Sequence, residues 1–251
     1  MARNNRQTSP ETEFLATYDA SAFEHPSVRT DVLIFSVSNS SAENWRRSDK
    51  KWFSVLLLRR DQYPEIGKWN LPGTFVNNNE TAVDAAYKVL RSEPGAHGDV
   101  YLEQLYTFDA INRDPRTRVF SIAQMALVDK NKIQYSGQRD VKWFNIEYDN
   151  DTLLLHNDNL TLTEKDLAFD HAVIIKTGIE RLRNKIGYTD IVFDMMPPEF
   201  TLGELQQVYE IILGHKLIPA VFRRNIAKKV VSTGKMRTGS GHRPSVLFKK
   251  K

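Results

Sequence analysis

The stretch LPGTFVNNNETAVDAAYKVLRSEPGA, residues 71–96, opens on a glycine-containing turn and runs into a segment of helix formers, Thr81–Ser92. Within it Val83, Ala86, Val89 and Leu90 recur at helical spacing, which predicts one amphipathic helix. Runs rich in β-branched and aromatic residues flank it: DVLIFSV (31–37), WFSVLLL (52–58), Tyr101–Phe108, Val119–Val128 and Asp140–Trp143 read as strands. The polar SNSSAENWRRSDKK between the first two reads as a hairpin loop, and Asn77-Asn78-Asn79 as a turn. Strands set around one internal helix point to an α/β sandwich.

The chain of 251 residues is long enough for two modest domains, and 41% hydrophobic with 10% aromatic residues excludes wholesale disorder. The absence of cysteine excludes disulfides, thiolate metal sites and cysteine nucleophiles, and fits a reducing compartment. MARNNRQTSPETEF has no apolar signal-like core, and no run approaches the ~20 apolar residues of a membrane span. A cytoplasmic protein with no membrane partner is expected. Residues 1–25 are polar and irregular, the composition of a loose arm.

Charge is unevenly placed. Beyond Glu210 there are eleven Lys and Arg residues and no acid, whereas positions 1–210 hold 24 basic against 31 acidic residues. An acidic body with a basic tail suggests a polyanionic partner for the tail. From about Glu164 the texture turns helical: Ile175, Ile179, Leu182 and Ile186 form one stripe, interrupted by Gly178, and Leu205, Val208 and Ile212 a second. Pro197-Pro198 and the capping-box pattern Thr201-x-x-Glu204 announce the second helix. A third is expected over about 220–231, followed by the Gly-punctuated TGKMRTGSGHRPSVLFKKK. Three short helices and a basic hairpin are the order of a winged helix.

On a helical wheel at ~100° per residue, Phe222, Ile226 and Val230 share an apolar face. Arg224 and Lys228 lie opposite, flanked by Arg223 and Asn225. Such a helix can dock inward and point guanidinium groups at guanine O6 and N7 in a major groove. Lys235, Arg237 and Arg243 flank the tip Gly239-Ser240-Gly241, suited to phosphate or minor-groove contact, and Thr201 is placed at the same surface.

The quoted stretch 71–96 resembles the Nudix box, the signature of hydrolases of nucleoside diphosphates linked to another group. Their chemistry rests on carboxylates at i, i+3 and i+4 of one helix, which hold divalent metals against a pyrophosphate. Glu80, Gly95 and the apolar Leu90 match the box, and Lys88 replaces its Arg. Thr74 stands where the box begins with Gly, although Gly73 precedes it. Val89 and Ser92 occupy two of three metal-binding Glu positions, leaving Glu93. An aliphatic side chain neither ligates a cation nor accepts a proton, so the box reads as a scaffold with no required cofactor and a doubtful Mg2+ site.

Longer stretches resemble the Nudix-related transcriptional regulators of NAD metabolism, the NrtR family: LLLRRDQYPEIGKWNLPGTFV (56–76), YLEQLYTFDAINRDPRTRVFSIA (101–123), LAFDHAVI (167–174), FTLGELQQVYEIILG (200–214), VFRRNIAKKV (221–230) and HRPSVLFK (242–249). The resemblance spans roughly 26–250 and leaves out the arm and 147–165, which reads as an insertion. It implies a Nudix-like sandwich over 26–165 and a winged-helix domain over 166–251. It also implies a bacterial homodimeric repressor that releases a palindromic double-stranded operator when ADP-ribose or a related nucleotide fills the Nudix cleft. A sister branch senses a sugar such as arabinose, and some members keep pyrophosphatase activity; both alternatives stay open here.

The expected cleft chemistry is anionic. Arg59 and Arg60 end a strand, and RDPRTR adds Arg113, Arg116 and Arg118, whose guanidinium groups match phosphate oxygens. Trp69 or Phe75 could stack on an adenine. Against this, Arg116 and Arg118 could be structural, with Asp114 a ready partner, and Trp69 could be core. The histidines, at 25, 97, 156, 171, 215 and 242, show no metal-ligand spacing; His171 is expected to pack at the domain junction.

Overall fold

The computed structural model describes residues 9–39, 51–92, 100–130, 133, 140–158, 160–237 and 244–251. The first long strand, β1 (Ser27–Asn39), lies at the centre of a nine-stranded sheet. Its neighbours are β2 (Lys51–Arg59) on one side and β6 (Val119–Val128) on the other, with β5 (Tyr101–Phe108) beyond β6. On the β2 side follow β7 (Val141–Asp149), β8 (Thr152–Asn157) and β9 (Leu160–Leu162). Two short strands complete the sheet: β3 (Trp69–Asn70) pairs with β2, and β4 (Gly73–Phe75) with the start of β1. β1 and β6 run parallel; the other named pairs are antiparallel.

The unbroken apolar run of β1 follows from burial on both faces. Successive side chains alternate across a strand, so Val32 and Ile34 join Leu56, Ala126 and Val128 under helix α2 (Ala82–Ser92). Leu33 and Phe35 join Val55, Leu57, Met125 and Leu127 on the opposite face, under helix α3 (His171–Lys185). The α/β/α sandwich therefore takes its second helical layer from the stripe Ile175–Ile179–Leu182 that the sequence assigned to the winged helix. Gly178 explains the close approach: a Cβ there would overlap the Leu33 Cδ2 methyl. The boundary expected at 165/166 is thus misplaced in physical terms, because α3 is a layer of the sandwich. The insertion-like 147–165 builds the end of β7 together with β8 and β9, and is tied to α3 by Lys176, which pairs with Asp151 at 3.1 Å and Glu164 at 2.7 Å.

The C-terminal part begins with a 3-10 turn, Ile191–Met195, followed by α4 (Leu202–Leu213) and α5 (Pro219–Ile226). Thr201 caps α4 as expected: its Oγ accepts from Glu204 N at 3.1 Å, and the Glu204 carboxylate accepts from Thr201 N at 2.8 Å. Gly214, at φ 78°, ends it in the left-handed conformation that a side chain would strain. Strands β10 (Val230–Arg237) and β11 (Ser245–Lys250) form the hairpin, and Phe200 exchanges backbone hydrogen bonds with Phe248 as a third, one-residue strand. The third helix is shorter than the expected 220–231. It stops at Ile226, Lys228 sits in the turn after it, and Val230 is already strand. The arm, expected to be irregular, contains α1 (Pro10–Thr17) and a 3-10 turn at Ala20–Ala22.

Gly178→Val should destabilise the fold by ~1–3 kcal/mol through overpacking, read as a lower urea midpoint. An unchanged midpoint would show that α3 does not rest on β1 as closely as described.

Candidate functional site

Two surfaces carry the candidate chemistry. The first is a polar cleft of about 160 Å³ lined by Arg29, Arg59, Arg60 and Arg116, with Asn70 and Gly73. Arg59 ends β2 and donates through Nε to Gly67 O at 3.2 Å. Arg60 donates to Pro64 O at 2.9 Å and Gln62 O at 3.3 Å, so the loop it opens fixes its own guanidinium. Arg116 forks onto Asp114 at 3.0 and 2.7 Å. Arg29 donates to Asp31 at 2.6 Å.

Two phenylalanine rings separate these cations. Arg29 and Arg116 lie 5.8 and 5.6 Å from the centre of Phe75, and Arg60 and Arg116 lie 4.8 and 5.9 Å from that of Phe169. Burial, and then the charges of Arg29 and Arg116, push the Arg60 pKa down. Mutual repulsion among cations is the electrostatic condition that an anion relieves, and planar guanidinium groups suit phosphate oxygens.

Below the cleft lies a buried charge cluster. Asp31 has no solvent exposure; its carboxylate accepts from Arg29 and from Ser121 Oγ at 2.7 Å, with Arg113 at 3.4 Å and His171 Nε2 at 3.7 Å. Burial works against its charge, but the Arg29 guanidinium and the hydrogen bonds from Ser121 and Arg29 overcome it and hold the pKa well below the usual carboxylate range. Gly73 makes the packing possible, because a Cβ there would stand 2.5 Å from Asp31 Oδ1 and 2.6 Å from Thr30 O. His171 Nδ1 accepts the Leu71 N–H at 2.9 Å, so the ring is neutral, and burial pushes its pKa down to about 4. His171 does sit at the junction, as the first residue of α3.

The expected cleft residues divide accordingly. Arg59, Arg60 and Arg116 line the cleft, and Phe75, 38% exposed, lies against Arg29 and Arg116. Arg113 is instead structural: it is buried and forks onto Asp170, just before α3, at 2.8 and 2.7 Å. Arg118 braces its loop by donating to Asp109 O and Ala110 O at 2.6 and 3.0 Å. Trp69 is core, buried edge-on against Phe144 with ring centres 4.8 Å apart. Sequence reading missed Arg29, Asp31 and Phe169. Arg29 and Asp31 head the β1 run at i and i+2, hence on one strand face, a legible signal; Phe169 gave none.

In the box, Glu80 accepts from Asn77 N and Nδ2 at 3.0 and 2.6 Å and pairs with Lys88 at 3.1 Å. Val89, on the buried face of α2, packs against the sheet, and Ser92 Oγ donates to Val89 O at 3.1 Å. Glu93 lies outside the described residues, and among those described no three metal-type side chains converge. An ammonium on Glu80 and an apolar Val89 do not fit a divalent cation cluster.

The second surface is basic. Phe222 and Ile226 anchor α5, with Phe222 edge-on to Tyr209 at 5.2 Å, which turns Arg223, Arg224 and Asn225 outward. Lys228 is exposed in the following turn. The link from α4 to α5 is fixed by Glu210, which accepts from Leu217 N at 3.1 Å and pairs with Lys216 at 2.7 Å. Lys235 and Arg237 of β10 pair with Glu199 and Glu204 at 2.8 and 2.7 Å, so the hairpin's charge is partly met within the chain. Thr201 spends its hydroxyl on the α4 cap, and Arg243 lies outside the described residues.

Together these surfaces define a Nudix-type sandwich joined to a winged helix. A family model described as NUDIX domain matches residues 37–157, and one described as NrtR DNA-binding winged helix domain matches 192–249. The chain is 33% identical over 248 residues, 96% of its length and 88% of the relative's, to the ADPR responsive transcriptional repressor NtrR of Acinetobacter baylyi. Among solved structures it is similar to a MutT/nudix family protein from Enterococcus faecalis, with a TM-score of 0.77 and 27% identity over 98% of this chain and 95% of that one. It is also similar to Shewanella oneidensis NrtR complexed with a 27mer DNA, with a TM-score of 0.68 and 27% identity over 89% and 93%. The chain belongs to the NrtR family. No described helix is long and apolar enough to cross a membrane.

Above pH ~6.5 His171 is neutral whether folded or not. Between there and about 4 the unfolded chain takes up a proton that the folded chain refuses, so stability is full above ~6.5 and is lost as the pH falls. The melting temperature should therefore drop as pH is lowered from 7 to 4.5. His171→Gln should flatten that decline; an equally steep decline in the variant would assign it to other groups.

Proposed function

We propose that this chain is a transcriptional repressor that binds a palindromic operator as a homodimer and is controlled by ADP-ribose, or a related nucleotide, bound without hydrolysis in the arginine cleft. The observation that carries the reading is the Arg29–Phe75–Arg116–Phe169–Arg60 array, a set of cations spaced by aromatic rings. It supplies positive charge for a pyrophosphate where a hydrolase of the Nudix type uses metal ions. The relative's response to ADPR supports the choice of nucleotide.

On the DNA side, α5 is the second helix of the helix-turn-helix and would enter the major groove. Arg223 and Arg224 would read guanine edges there, with Asn225 beside them. Lys228, Lys235, Arg237 and Arg243 would meet the backbone. The pairs Lys235–Glu199 and Arg237–Glu204 are exposed and weak, so phosphate can displace the carboxylates.

The two sites are mechanically joined. Phe169, whose ring backs Arg60 and Arg116, immediately precedes the residue that Arg113 holds at the head of α3. At the other end of α3, Arg183 donates to Ile212 O of α4 at 2.8 Å and to Tyr148 O of β7 at 3.1 Å. A ligand that draws the arginines together moves the head of α3 and, through Arg183, the seat of α4. A change in recognition-helix spacing across a dimer need be worth only ~1–3 kcal/mol to alter occupancy about 5- to 150-fold.

ADP-ribose should raise the melting temperature and release a labelled operator, with no phosphate-bond cleavage when Mg2+ or Mn2+ is present. A shift with a pentose alone would assign the cleft to a sugar, and metal-dependent turnover would make the chain a pyrophosphatase.

Arg224→Ala should weaken operator binding at least ~10-fold, the loss of ~1.4 kcal/mol or more expected of a guanine contact, and leave the ADP-ribose shift intact. Arg60→Ala should do the reverse, binding operator normally but no longer releasing it. Swapped phenotypes would contradict the assignment of the two surfaces.

A further inference from the structure

The N-terminal arm and an apolar groove on the winged helix have complementary surfaces. Every residue from Ser9 to Pro26 is exposed. Four of them are large and apolar: Phe14, Leu15, Tyr18 and Phe23 are 60, 64, 52 and 60% exposed. Phe14 and Tyr18 meet at 5.7 Å, and Tyr18 stacks on Phe23 at 6.4 Å, which gathers the rings into one ridge. Helix α1 has only 8 residues, too few to be stable alone in water, so it needs a surface to cover its ridge. The arm, residues 9–26, carries Glu11, Glu13, Asp19 and Glu24 and no Lys or Arg.

The groove has a volume of about 450 Å³, and its walls are largely apolar: Tyr209 and Leu213 of α4, Leu217, and Ile218, Val221 and Phe222 at the start of α5. Ile218 and Val221 are 69 and 41% exposed, unusual for apolar side chains beside a recognition helix. Lys216 and Lys229 stand at the rim. Their intrachain partners Glu210 and Asp190 do not cancel the field of this region, since residues 187–251 hold eleven Lys and Arg against five acids. An acidic aromatic ridge and a basic-rimmed apolar groove are complementary in both charge and polarity.

We propose that the arm of one chain docks in the winged-helix groove of a second copy, and that this reciprocal exchange forms part of the homodimer. The contact is isologous, since each chain offers the same ridge and the same groove. Two exchanged ridges, with the groove walls they cover, bury on the order of 1,000–2,000 Å² in total, the range of specific stable interfaces. The arm would brace α5 along the face of Ile218, Val221 and Asn225, at the flank of Arg223 and Arg224, so dimer formation and the seating of the recognition helix are one event. The proposal does not depend on the identity of the effector.

The chain has no cysteine, so introduced thiols report unambiguously. A Leu15→Cys chain is mixed with an Ile218→Cys chain and mildly oxidised; both positions are exposed, so neither substitution threatens the fold. A covalent heterodimer is expected, forming at least ten times faster than with an Ile111→Cys control, whose site is also exposed. Deletion of residues 1–26 should weaken self-association at least tenfold by sedimentation equilibrium, with the strand signal in circular dichroism unchanged. Three results would each overturn the proposal: cross-linking no faster than the control, a crosslink formed within single chains of a Leu15→Cys/Ile218→Cys double variant, or unaltered self-association of the truncated chain.

Discussion

A carboxylate with no exposure to water keeps its charge only where fixed partners replace the lost hydration, and Asp31 has such partners on every side. Arg29 comes from its own strand, Ser121 from β6, Arg113 from the loop before β6, and His171 from the head of α3. One side chain thus ties the sheet centre to the opposite helical layer. Removing any partner leaves a buried charge under-compensated, which is far more expensive than losing a surface pair. Gly73 belongs to the same constraint, since β4 can approach Asp31 only without a Cβ. Gly73, just before the box start, is therefore explained by packing around a charge.

The same carboxylate sets the cleft. Arg29 is held by Asp31 from below and faces Phe75 and the cleft from above, so its position is fixed before any ligand arrives. Arg113, tied to both Asp31 and Asp170, carries that fixed point to α3. Preorganisation of this kind lowers the entropy a ligand must overcome, and rigid connection lets a small displacement reach a distant element. Arg183 bridges α3, α4 and β7, and the sandwich and the winged helix share one continuous apolar core.

Much of the strand order was legible. Tyr101–Phe108 and Val119–Val128 coincide with β5 and β6, and the helix at 81–92 begins one residue later, because period-two and period-3.6 patterns reflect which faces are buried. The capping box at Thr201 was equally legible, being a local interaction. What failed was non-local. The stripe of α3 says that the helix has a buried face but not against what; contacts such as that of Gly178 with Leu33 assign it to the sandwich. Trp69 and Arg113 looked like ligand groups by residue type; their burial against Phe144 and Asp170 depends on elements 75 and 57 residues away. Phe169 reaches Arg60 and Arg116 by fold alone. The third helix was drawn too long because Val230 continues the apolar spacing of Phe222 and Ile226 while belonging to β10.

The changes in the box form a consistent set. Lys88 neutralises Glu80 from within the chain, Val89 adds apolar contact beneath α2, and Ser92 turns its hydroxyl back onto the helix. At positions 89 and 92 a side chain that could hold a cation gives way to one that contacts the fold itself, while Lys88 keeps the positive charge of the box Arg. A pyrophosphate still needs neutralising charge, and Arg29, Arg60 and Arg116 can provide it at fixed positions. Metal ions in a hydrolase strengthen their interaction as charge develops toward the transition state, whereas fixed arginines that match the ground state bind without accelerating cleavage. Binding energy that is not used on a transition state remains available to shift a conformational equilibrium. Under the proposed function, the shift would pass from the aromatic-spaced arginines through the head of α3 to the helix that seats α5.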